Sequence, residues 1–515
     1  RAPWALGAGS LHPNSAMTAF ETVIGLEVHA ELQTASKMFC GCPVVDLTQA
    51  EPNSAACEIC AGLPGTLPAI NARAVEYAVR VALALHCKVN PTSVFARKNY
   101  FYPDLPKGFQ ISQYETPLAS EGWLEVPRRD QAGRLRIRIR RVHLEEDTGK
   151  LFHRDGHSLV DYNRSGVPLV EIVTEPDLHS VDDLKAFATE LRTVLRHLEV
   201  TSADMEKGVI RFEANVSLRP PGTGTLGTRT EIKNLNSFRS MVNAVSAELT
   251  RQKGVLSAGG RVTQETLGWD DAAGALVPQR TKEEAHDYRY FPEPDLPPLV
   301  IDPAWVERIR AGLPELPEAR RGRFLEDYGL APARVDLLIE DRAVAGFFEE
   351  AVAQAAGRVS PDKIANWVLV DLFALLHDAG IPIERSRLGP DALAELAAMV
   401  EADEINLSTA RTLLQEIFEN GGDPRALVAD RGLRQIADAS RLAPIVDSVL
   451  AESPSQVAAY REGKTAVFEW LFGQAMKRAE GRADPHLLRA ALEAALRPAE
   501  GAGSTPEPSR PRNGG

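Results

Sequence analysis

Several features that assign proteins to familiar classes are missing from this sequence of 515 residues. No uninterrupted apolar run reaches about 18 residues, so we expect no membrane-spanning helix. The phosphate-binding pattern GxxxxGK[ST] does not occur, so nucleotide binding does not follow from a Walker loop. No internal repeat with a period of roughly 20–50 residues is visible, which argues against a solenoid or a propeller.

An excess of positive charge is also missing. The chain has 58 Lys and Arg against 71 Asp and Glu, a formal net charge of −13. This balance argues against a protein that coats nucleic acid non-specifically, although it leaves room for a local basic surface. Cysteine is scarce as well: five cysteines in 515 residues indicate a reducing, cytoplasmic setting, where paired cysteines predict metal ligands sooner than disulfides.

The composition that remains, 44% hydrophobic and 25% charged, is typical of a soluble globular protein. Alternating β patterns with Pro and Gly turns dominate before residue 300, and Ala/Leu-rich helical patterns follow it. Among the helices, one is predicted to start at Ser360-Pro361 and to end at Gly380. The sequence therefore predicts an α+β fold.

We predict five segments along the chain. Residues 17–300 are expected to form a mainly antiparallel β catalytic domain, residues 301–405 an all-α domain, and residues 406–500 a small helical tail domain. Residues 1–16 lack a signal-peptide pattern and are interpreted as a disordered extension before a natural start at Met17. The Gly/Pro/Ser-rich residues 501–515 are predicted to be a disordered tail.

Strand-like alternation places acidic residues side by side near the start of the chain. In ETVIGLEVHAEL, residues 21–32, the apolar residues share one face, and Glu27, His29 and Glu31 share the other. Neighbouring carboxylates repel each other, and their burial is costly unless something neutralises them. This face therefore meets either bulk water or a cation.

The same pattern recurs in three distant segments. In RFEANVSLR the polar face includes Glu213 and Asn215, and in RTEIKN it includes Glu231 and Lys233. In RLRIRIRRVHLEEDTGK the alternation changes parity at Arg140-Arg141, as a β-bulge would produce. Beyond that point the segment ends in a polar group: His143, Glu145, Glu146 and Asp147.

Two interpretations of this recurring face remain open. Carboxylates with an occasional histidine suit a hard divalent cation such as Mg²⁺. Interleaved Arg and Lys suit an anionic ligand, most simply a polyphosphate that the metal bridges. The alternative is a water-exposed antiparallel face with cross-strand ion pairs.

Four of the cysteines form two close pairs. Cys40-x-Cys42 and Cys57-x-x-Cys60 together predict a tetrahedral zinc site with four thiolate ligands. The alternative is four unrelated buried thiols. Cys87 lies in a helical pattern and is interpreted as a core residue.

Long stretches of the sequence resemble one protein family. These stretches are ETVIGLEVHAEL, RKNYFYPDLPKGFQISQYE, HLEEDTGK, DYNRSGVPLVEIVTEPD, EIKNLNSF and DYRYFPEPDLPPL. They resemble GatB, the B subunit of the glutamyl/aspartyl-tRNA amidotransferases, which belongs to the GatCAB complex. The resemblance extends from Phe20 to about Arg497, and it implies a cradle-like catalytic domain and a YqeY-like tail domain.

The resemblance implies a ligase that forms carbon–nitrogen bonds with glutamine as the amido donor. GatB would use ATP and Mg²⁺ to phosphorylate the side-chain carboxylate of misacylated Glu-tRNA(Gln), Asp-tRNA(Asn) or both. The chain has no Ser/Lys amidase signature, so ammonia would come from GatA, the amidase of the complex, and the small protein GatC would complete a cytoplasmic heterotrimer. Two other readings stay open: a non-catalytic tRNA-binding scaffold and a free-standing metallohydrolase.

Residue roles follow from the same resemblance. The family's Mg²⁺ ligands fall on Glu27, His29, Glu146 and Glu231, with Lys233 as a further catalytic residue. Glu145 and Glu213 are nearby candidates either to bind a second cation or to support the ligands of the first. ATP contacts are assigned to Arg164, Arg289, Glu213 and Asn215; other members carry Cys-Asp where this chain has Phe212-Glu213, so the reach of Glu213 differs. Tyr100, Tyr102 and Tyr290 either stack on a base or belong to the β core.

The end of the chain resembles the tRNA-contacting tail of the family. Lys464, Lys477 and Arg478 are predicted to contact tRNA there. The alternative for each of them is a solvated helical face. The four cysteines do not occur in every member of the family, which favours a structural role for a bound zinc ion.

Overall fold

The computed structural model describes residues 20–128, 133–280, 288–436 and 438–497. The predicted extension, residues 1–16, and the predicted tail, residues 501–515, lie outside the described residues. The chain divides into two compact units, residues 1–320 and residues 321–515.

The first unit carries the strands and four complete helices among the described residues. Its strands are β1 (Glu21–Glu31), β2 (Lys88–Val89), β3 (Thr92–Ser93), β4 (Ala96–Asn99), β5 (Phe109–Ser112), β6 (Ala119–Pro127), β7 (Arg134–Glu146), β8 (Lys150–Arg154), β9 (His157–Asp161), β10 (Pro168–Thr174), β11 (Ile210–Arg219), β12 (Thr230–Leu235), β13 (Thr266–Asp270), β14 (Ala275–Arg280), β15 (Phe291–Pro292) and β16 (Leu299–Val300). Its helices are α1 (Ala72–Ala84), α2 (Val181–His197), α3 (Phe238–Ser257) and α4 (Pro303–Ala311), and α5 (Pro317–Tyr328) crosses into the second unit.

Nine of these strands form one sheet in the order β14-β13-β12-β11-β1-β10-β7-β6-β2. Neighbouring strands are antiparallel except for the parallel pair β12 and β13. The predicted bulge in β7 is confirmed, because Val173 pairs with Arg141 while Thr174 pairs with Ile139, so Arg140 has no opposite residue. In this strand order, the long strands β1 and β11 each pair with a neighbouring strand along both edges.

One face of the sheet is covered by helices. Leu26, Val28 and Ala30 of β1 are fully buried, and they share a core with α1, α2 and α3. Each of these helices has a polar N-cap whose side chain accepts from backbone N–H groups of the first turn: Asn71, Ser180 and Ser237. Since strand residues alternate between faces, the acidic residues of β1 must lie on the opposite face.

A smaller sheet lies beside that opposite face. Strand β4 pairs with β5 and with β15, and it brings residues 288–292 next to residues 96–99. The Asn99 side chain fixes this approach by donating to the carbonyl oxygens of Tyr288, at 3.1 Å, and Arg289, at 2.9 Å. The two segments are almost 200 residues apart in the sequence, so this contact is set by tertiary packing.

The second unit is helical in its described part, which confirms the predicted α+β fold. Its helices are α6 (Pro332–Ile339), α7 (Arg342–Ala355), α8 (Pro361–Asn366), α9 (Phe373–Ala379), α10 (Pro390–Glu401), α11 (Leu407–Asn420), α12 (Pro424–Asp430), α13 (Ala439–Glu452), α14 (Pro454–Arg461), α15 (Val467–Arg478) and α16 (Pro485–Leu496). A π-helical segment, Trp367–Leu372, joins α8 to α9, and a 3₁₀ turn covers Ile383–Arg385. No helix of the described residues is both long and apolar enough to cross a membrane.

The cores of the molecule are placed differently from the predicted segment limits. Val306 and Ile309 of α4 are buried in the core of the first unit, beyond residue 300. A second core extends from Phe324 to Val428, and a third from Ile436 to Leu496. The predicted limit between residues 405 and 406 therefore falls inside the second core, because the apolar stripe of α11 packs with α10.

Candidate active-site cleft

The polar face of the sheet forms the floor of an open cleft in the first unit. The strand register places Glu27 opposite Glu213 of β11, and His29 opposite Glu171 of β10. The cleft encloses about 450 Å³ and is lined mainly by charged and aromatic side chains. Residues from β1, β7, β10, β11 and β12 form its floor, and Lys98, Tyr100, Tyr114, Tyr288 and Tyr290 line it as well.

One acidic group in the cleft is built around His29. Its Nε2 atom lies 3.3 Å from Glu145 Oε1 and 3.4 Å from Glu171 Oε2, and His143 Nε2 lies 3.0 Å from Glu171 Oε2. Burial lowers the pKa of His29, but Glu171 and Glu145 outweigh burial and hold it well above its ordinary value. Burial raises the pKa of Glu171, yet His143 and His29 hold it well below the usual range. His29 and Glu171 therefore form a charged pair, and Glu145 and His143 lie beside it.

A second acidic group lies beside the first on β1, β11 and β12. Oxygen atoms of Glu27, Glu213 and Glu231 lie within 4.8 Å of one another. Lys233 Nζ donates to Glu213 Oε2 at 2.7 Å and lies 3.9 Å from Glu231 Oε1. Asn215 Nδ2 donates to Glu27 Oε1 at 2.9 Å, so the predicted residues Glu27, Glu213, Asn215, Glu231 and Lys233 converge.

Glu213 and Lys233 of the second group keep their charges although they are largely buried. Burial raises the pKa of Glu213, but Lys233 and His29 outweigh burial and leave it below its ordinary value. Burial lowers the pKa of Lys233, and Glu213 and Glu231 reverse that effect and raise it. Charged groups that persist in a cleft of this kind are typical of a site that binds a charged ligand.

Glu146 does not join either group. Its carboxylate pairs with Lys107 Nζ and accepts from the Ile111 backbone N–H at 3.0 Å, on the side of the strand away from the cleft. Adjacent residues of a strand point to opposite faces, so only one of Glu145 and Glu146 can face His29. The structure therefore does not bring Glu146 beside Glu27, His29 and Glu231 as the sequence predicts, and Glu145 occupies that position.

The two arginines predicted to contact ATP also lie outside the residues that line the cleft in the described part of the chain. The Arg164 guanidinium donates to the carbonyl oxygens of Thr148, at 3.0 Å, and Gly149, at 2.8 Å. Arg289 is exposed and has a left-handed backbone with φ of 47°. Arg164 instead fixes the turn that follows Asp147, a residue that does line the cleft.

Several cleft residues escaped sequence reasoning. Glu171 is the single charged residue in PLVEIVT, a strand that is buried along its whole length and therefore shows no alternation. Lys98 points its Nζ atom toward the rings of Tyr288, 4.9 Å from the centroid, and Tyr100, 5.8 Å from the centroid. Burial lowers the pKa of Lys98, and Tyr290 and Glu145 outweigh burial and raise it well above its ordinary value. The sequence signal that could have identified Glu171 is its position as a single charged residue within an otherwise apolar strand.

Comparison with known proteins assigns the chain to a family. The model of the GatB/GatE catalytic domain matches residues 22–307, and the model of the GatB domain matches residues 346–496. The first match alone covers more than half of the 515 residues. The chain belongs to the GatB family.

Curated relatives agree with this assignment over nearly their whole length. The B subunit of the aspartyl/glutamyl-tRNA(Asn/Gln) amidotransferase from Thermomicrobium roseum is 51% identical over 481 residues, which cover 93% of this chain and 99% of the relative. The proteins of the same name from Caldanaerobacter subterraneus and Moorella thermoacetica are each 47% identical, and 93% of this chain is covered in each case. The family and the class of ligase expected from the motifs are thus confirmed.

A glycine-rich loop of this GatB chain has the spacing of a known nucleotide-binding pattern. Gly222, Gly224 and Gly227 match GxGxxG, which in other folds opens a helix under a dinucleotide. Here the glycines lie in the loop between the antiparallel strands β11 and β12, so a strand and not a helix follows them directly. The pattern is therefore not a dinucleotide-binding turn.

The four cysteines of this GatB chain meet as the sequence predicts. The Sγ atoms of Cys40, Cys42, Cys57 and Cys60 all lie within 4.8 Å of one another, and those of Cys57 and Cys60 are 3.9 Å apart. Four sulfurs around a tetrahedral zinc ion are about 3.8 Å apart, so the donor set fits a structural zinc site. The alternative of four unrelated thiols does not match this arrangement.

A buried lysine donates a hydrogen bond to one sulfur of the cysteine cluster. Lys37 is 0% exposed, and its Nζ atom donates to Cys60 Sγ at 3.4 Å, to Ala55 O at 2.7 Å and to Tyr162 O at 3.0 Å. Hydrogen bonding from Cys40 and the charge of Lys37 lower the pKa of Cys60 to about 4. Lys37 therefore stabilises one thiolate of the cluster, a contact that cysteine spacing alone does not reveal.

The predicted tRNA-contacting residues of the tail lie on the surface of the second unit. Lys464 follows α14, Lys477 lies near the end of α15, and both are exposed. Neither forms an ion pair with any described residue. Arg478 differs, because its guanidinium pairs with Glu452, with an Nη2–Oε2 distance of 2.6 Å.

Proposed function

We propose that this chain is the subunit of a tRNA-dependent amidotransferase that activates the misacylated amino acid. ATP would phosphorylate the side-chain carboxylate of Glu-tRNA(Gln), Asp-tRNA(Asn) or both. Ammonia from a glutaminase subunit would then give Gln-tRNA(Gln) or Asn-tRNA(Asn). The observation that carries this proposal is the convergence of two acidic groups and two lysines on one cleft floor.

The chemistry needs charge neutralisation more than it needs a nucleophile on the protein. A carboxylate is a poor acyl donor, because its leaving group would be oxide. Transfer of the γ-phosphoryl group to that carboxylate yields ADP and an acyl phosphate. Ammonia then attacks the acyl carbon, the bond from this carbon to the phosphate oxygen breaks, and phosphate leaves. Such transfers depend on positioning and on electrostatic stabilisation.

The residues present fit a divalent cation. Each acidic group offers three ligand atoms within 4.8 Å of one another: one group is His29, Glu145 and Glu171, and the other is Glu27, Glu213 and Glu231. His29 would bind the ion only as a neutral ring, so a bound cation would displace its proton. An octahedral Mg²⁺ ion keeps its oxygen ligands about 2.9–4.2 Å apart, which matches these groups. Bound there, Mg²⁺ would neutralise phosphate charge during the transfer.

Two lysines are suited to hold the anionic parts of the substrates. Lys98 has no carboxylate within ion-pair distance in the described part of the chain, and its Nζ atom lies among tyrosine rings of the cleft. Lys233 stands between Glu213 and Glu231. We assign the phosphate and carboxylate contacts to these two residues, with Asn215 orienting Glu27.

Further roles stay predictions under this proposal. Glu146, Arg164 and Arg289 remain expected contributors through the family resemblance, although their contacts lie outside the cleft floor. The cysteine cluster is proposed to hold a structural zinc ion. The amidase GatA and the small protein GatC are proposed as partners in a cytoplasmic heterotrimer, and Lys464, Lys477 and Arg478 as tRNA contacts.

One experiment tests the proposal against its rivals. The complex is incubated with misacylated tRNA, ATP labelled in the γ position and glutamine, and phosphate release and amide formation are followed together. We expect coupled products that fall about 100-fold in Glu27→Gln. Glu206→Gln, an exposed carboxylate outside the cleft, is the matched control. Unchanged amidation in Glu27→Gln would favour a scaffold, and turnover of small amides by the chain alone would favour a hydrolase.

A further inference from the structure

A hairpin projects from the first unit beside the cleft. Strands β8 and β9 pair only with each other among the described strands, and the turn Asp155-Gly156 joins them, with a φ of 78° at Gly156. Five residues in each strand give the hairpin a length of about 17 Å. Two-stranded sheets are only marginally stable in isolation, so this one depends on its attachment.

Hydrogen bonds attach the base of the hairpin to the rest of the first unit. Asn53 donates from Nδ2 to the Val160 carbonyl oxygen at 3.1 Å and from its backbone N–H to Asp161 Oδ1 at 2.9 Å. On the other strand, Gly149 donates its N–H to the Asp104 carbonyl oxygen at 2.8 Å, next to the contacts of Arg164. Asp147, three residues before β8, lines the cleft. The hairpin therefore starts at the edge of the proposed active site.

One face of the hairpin is apolar and cationic, and its side chains are partly or largely exposed. Phe152 and Leu159 are cross-strand neighbours with exposures of 38% and 52%. Lys150 Nζ lies 5.0 Å from the Phe152 ring centroid, and Arg154 shares this face because it lies two residues further along the strand. Neither Lys150 nor Arg154 has an ion-pair partner in the described part of the chain.

The exposed aromatic ring and the two cations of this face indicate the chemistry of a partner that would bind it. Most exposed arginines of the neighbouring strand β7 are paired with carboxylates, as Arg138 is with Asp177 at 2.7 Å. The hairpin instead presents two cations that form no ion pair in the described part of the chain, next to an aromatic ring, although Asp161 lies opposite Lys150 at the base; the net charge of the whole chain is −13. Phosphate groups pair with such cations, and nucleobases or sugars pack on such a ring. An acidic chain would concentrate its RNA contacts on local surfaces of this kind.

We infer that the β8–β9 hairpin is an arm that binds the acceptor end of the tRNA substrate, with Lys150 and Arg154 on the sugar–phosphate backbone and Phe152 packed against the RNA. The inference rests on the proposed function, because the aminoacylated 3′ end must reach the cleft at the base of the arm. With the 3′ end in the cleft, the nucleotides next to it lie close enough for the hairpin, about 17 Å long, to contact them.

The test uses the assembled complex and misacylated tRNA, with binding measured over a range of salt concentrations. The double variant Lys150→Gln/Arg154→Gln is expected to bind more weakly and to reduce the slope of log affinity against log salt by about 1 for each phosphate that is no longer neutralised. The matched control is Arg136→Gln/Arg138→Gln, which removes the same charge from exposed arginines that already pair with Glu125 and Asp177.

Each outcome decides the inference. Loss of affinity and slope in the hairpin variant alone supports it, and a similar loss of affinity with Phe152→Ser supports the aromatic contact. An unchanged slope, or an equal loss in the control, overturns it. Loss of complex assembly with normal tRNA binding also overturns it, because the partner would then be a protein. If the wild-type complex neither binds tRNA nor forms amide, the proposed function itself fails.

Discussion

Glu145 and Glu146 are adjacent in β7, yet their carboxylates lie on opposite sides of the sheet. Glu145 Oε1 lies 3.3 Å from His29 Nε2, whereas Glu146 pairs with Lys107 and accepts from the Ile111 N–H. The alternation of the strand and the bulge at Arg140 decide which carboxylate enters the cleft. The two residues should therefore respond differently to the same substitution.

We expect Glu145→Gln to impair activity and Glu146→Gln to impair stability. The Glu145 variant should need more Mg²⁺ for phosphate release, because a charged candidate ligand is lost. The Glu146 variant leaves the Lys107 ammonium without its buried partner, so the free energy of unfolding should fall by about 3 kcal/mol. Mg²⁺ titrations and urea unfolding of both variants measure these effects. A stable Glu146→Gln protein with a raised Mg²⁺ requirement would instead favour the prediction from the family resemblance that Glu146 binds Mg²⁺.

Glu31 is expected to make stability depend on pH. Burial and the nearby Asp147 raise the pKa of Glu31 to about 7, against an ordinary value of 4.5. The folded state therefore holds this proton more tightly, and its stabilising effect, complete below pH 4.5, is lost as pH rises through 7. Glu31→Gln should be more stable than the wild type at pH 8 by up to about 3 kcal/mol, and equally stable near pH 4.

Urea unfolding of both proteins at the two pH values checks this prediction. The matched control is Glu206→Gln, an exposed carboxylate whose replacement should leave the pH profile unchanged. A stability difference of the same size at both pH values would mean that Glu31 acts through packing, and the assigned titration would be wrong.

Sequence reasoning was most successful where a strand has one buried face. The alternation in β1, β11 and β12 placed Glu27, His29, Glu213 and Glu231 on a common surface, and the parity change identified the bulge in β7. The cysteine spacing likewise identified a cluster that the structure forms. In these cases a short-range pattern reports a local geometry that tertiary packing keeps.

Sequence reasoning failed where the position of a residue depends on contacts with distant parts of the chain. Strand β10 is buried on both faces, so Glu171 had no alternation to reveal it. Lys98 and Tyr288 meet only because β15 pairs with β4 across almost 200 residues.

In the helical unit, the helix predicted between Ser360 and Gly380 begins and ends as expected, with Gly380 left-handed at φ of 62°. Its π-helical middle, Trp367–Leu372, had no signal in the propensity pattern.

Lys37 should control metal binding at the cysteine cluster. Its buried ammonium donates to Cys60 Sγ and offsets part of the negative charge of four thiolates. Lys37→Met keeps the apolar stem and removes the charge, so zinc affinity should fall by about 10–100-fold, the range found for residues that support metal ligands. Competition with a chromophoric chelator measures this, with circular dichroism as the check on folding. Lys207→Met, at an exposed site, is the control, and equal affinities in all three proteins would exclude this role.

The tail lysines should contribute to tRNA binding more than the neighbouring arginine. Lys464 and Lys477 are exposed and have no ion-pair partner among the described residues, so each can neutralise a phosphate without breaking an existing contact. Arg478 must first give up its pair with Glu452, so its net contribution to binding is smaller. We expect Lys464→Ala and Lys477→Ala each to reduce the salt slope of tRNA binding by about 1, and Arg478→Ala to reduce it less. Filter binding of the three variants from low to moderate salt gives the comparison. A larger effect for Arg478→Ala would show that its pair with Glu452 opens when tRNA binds.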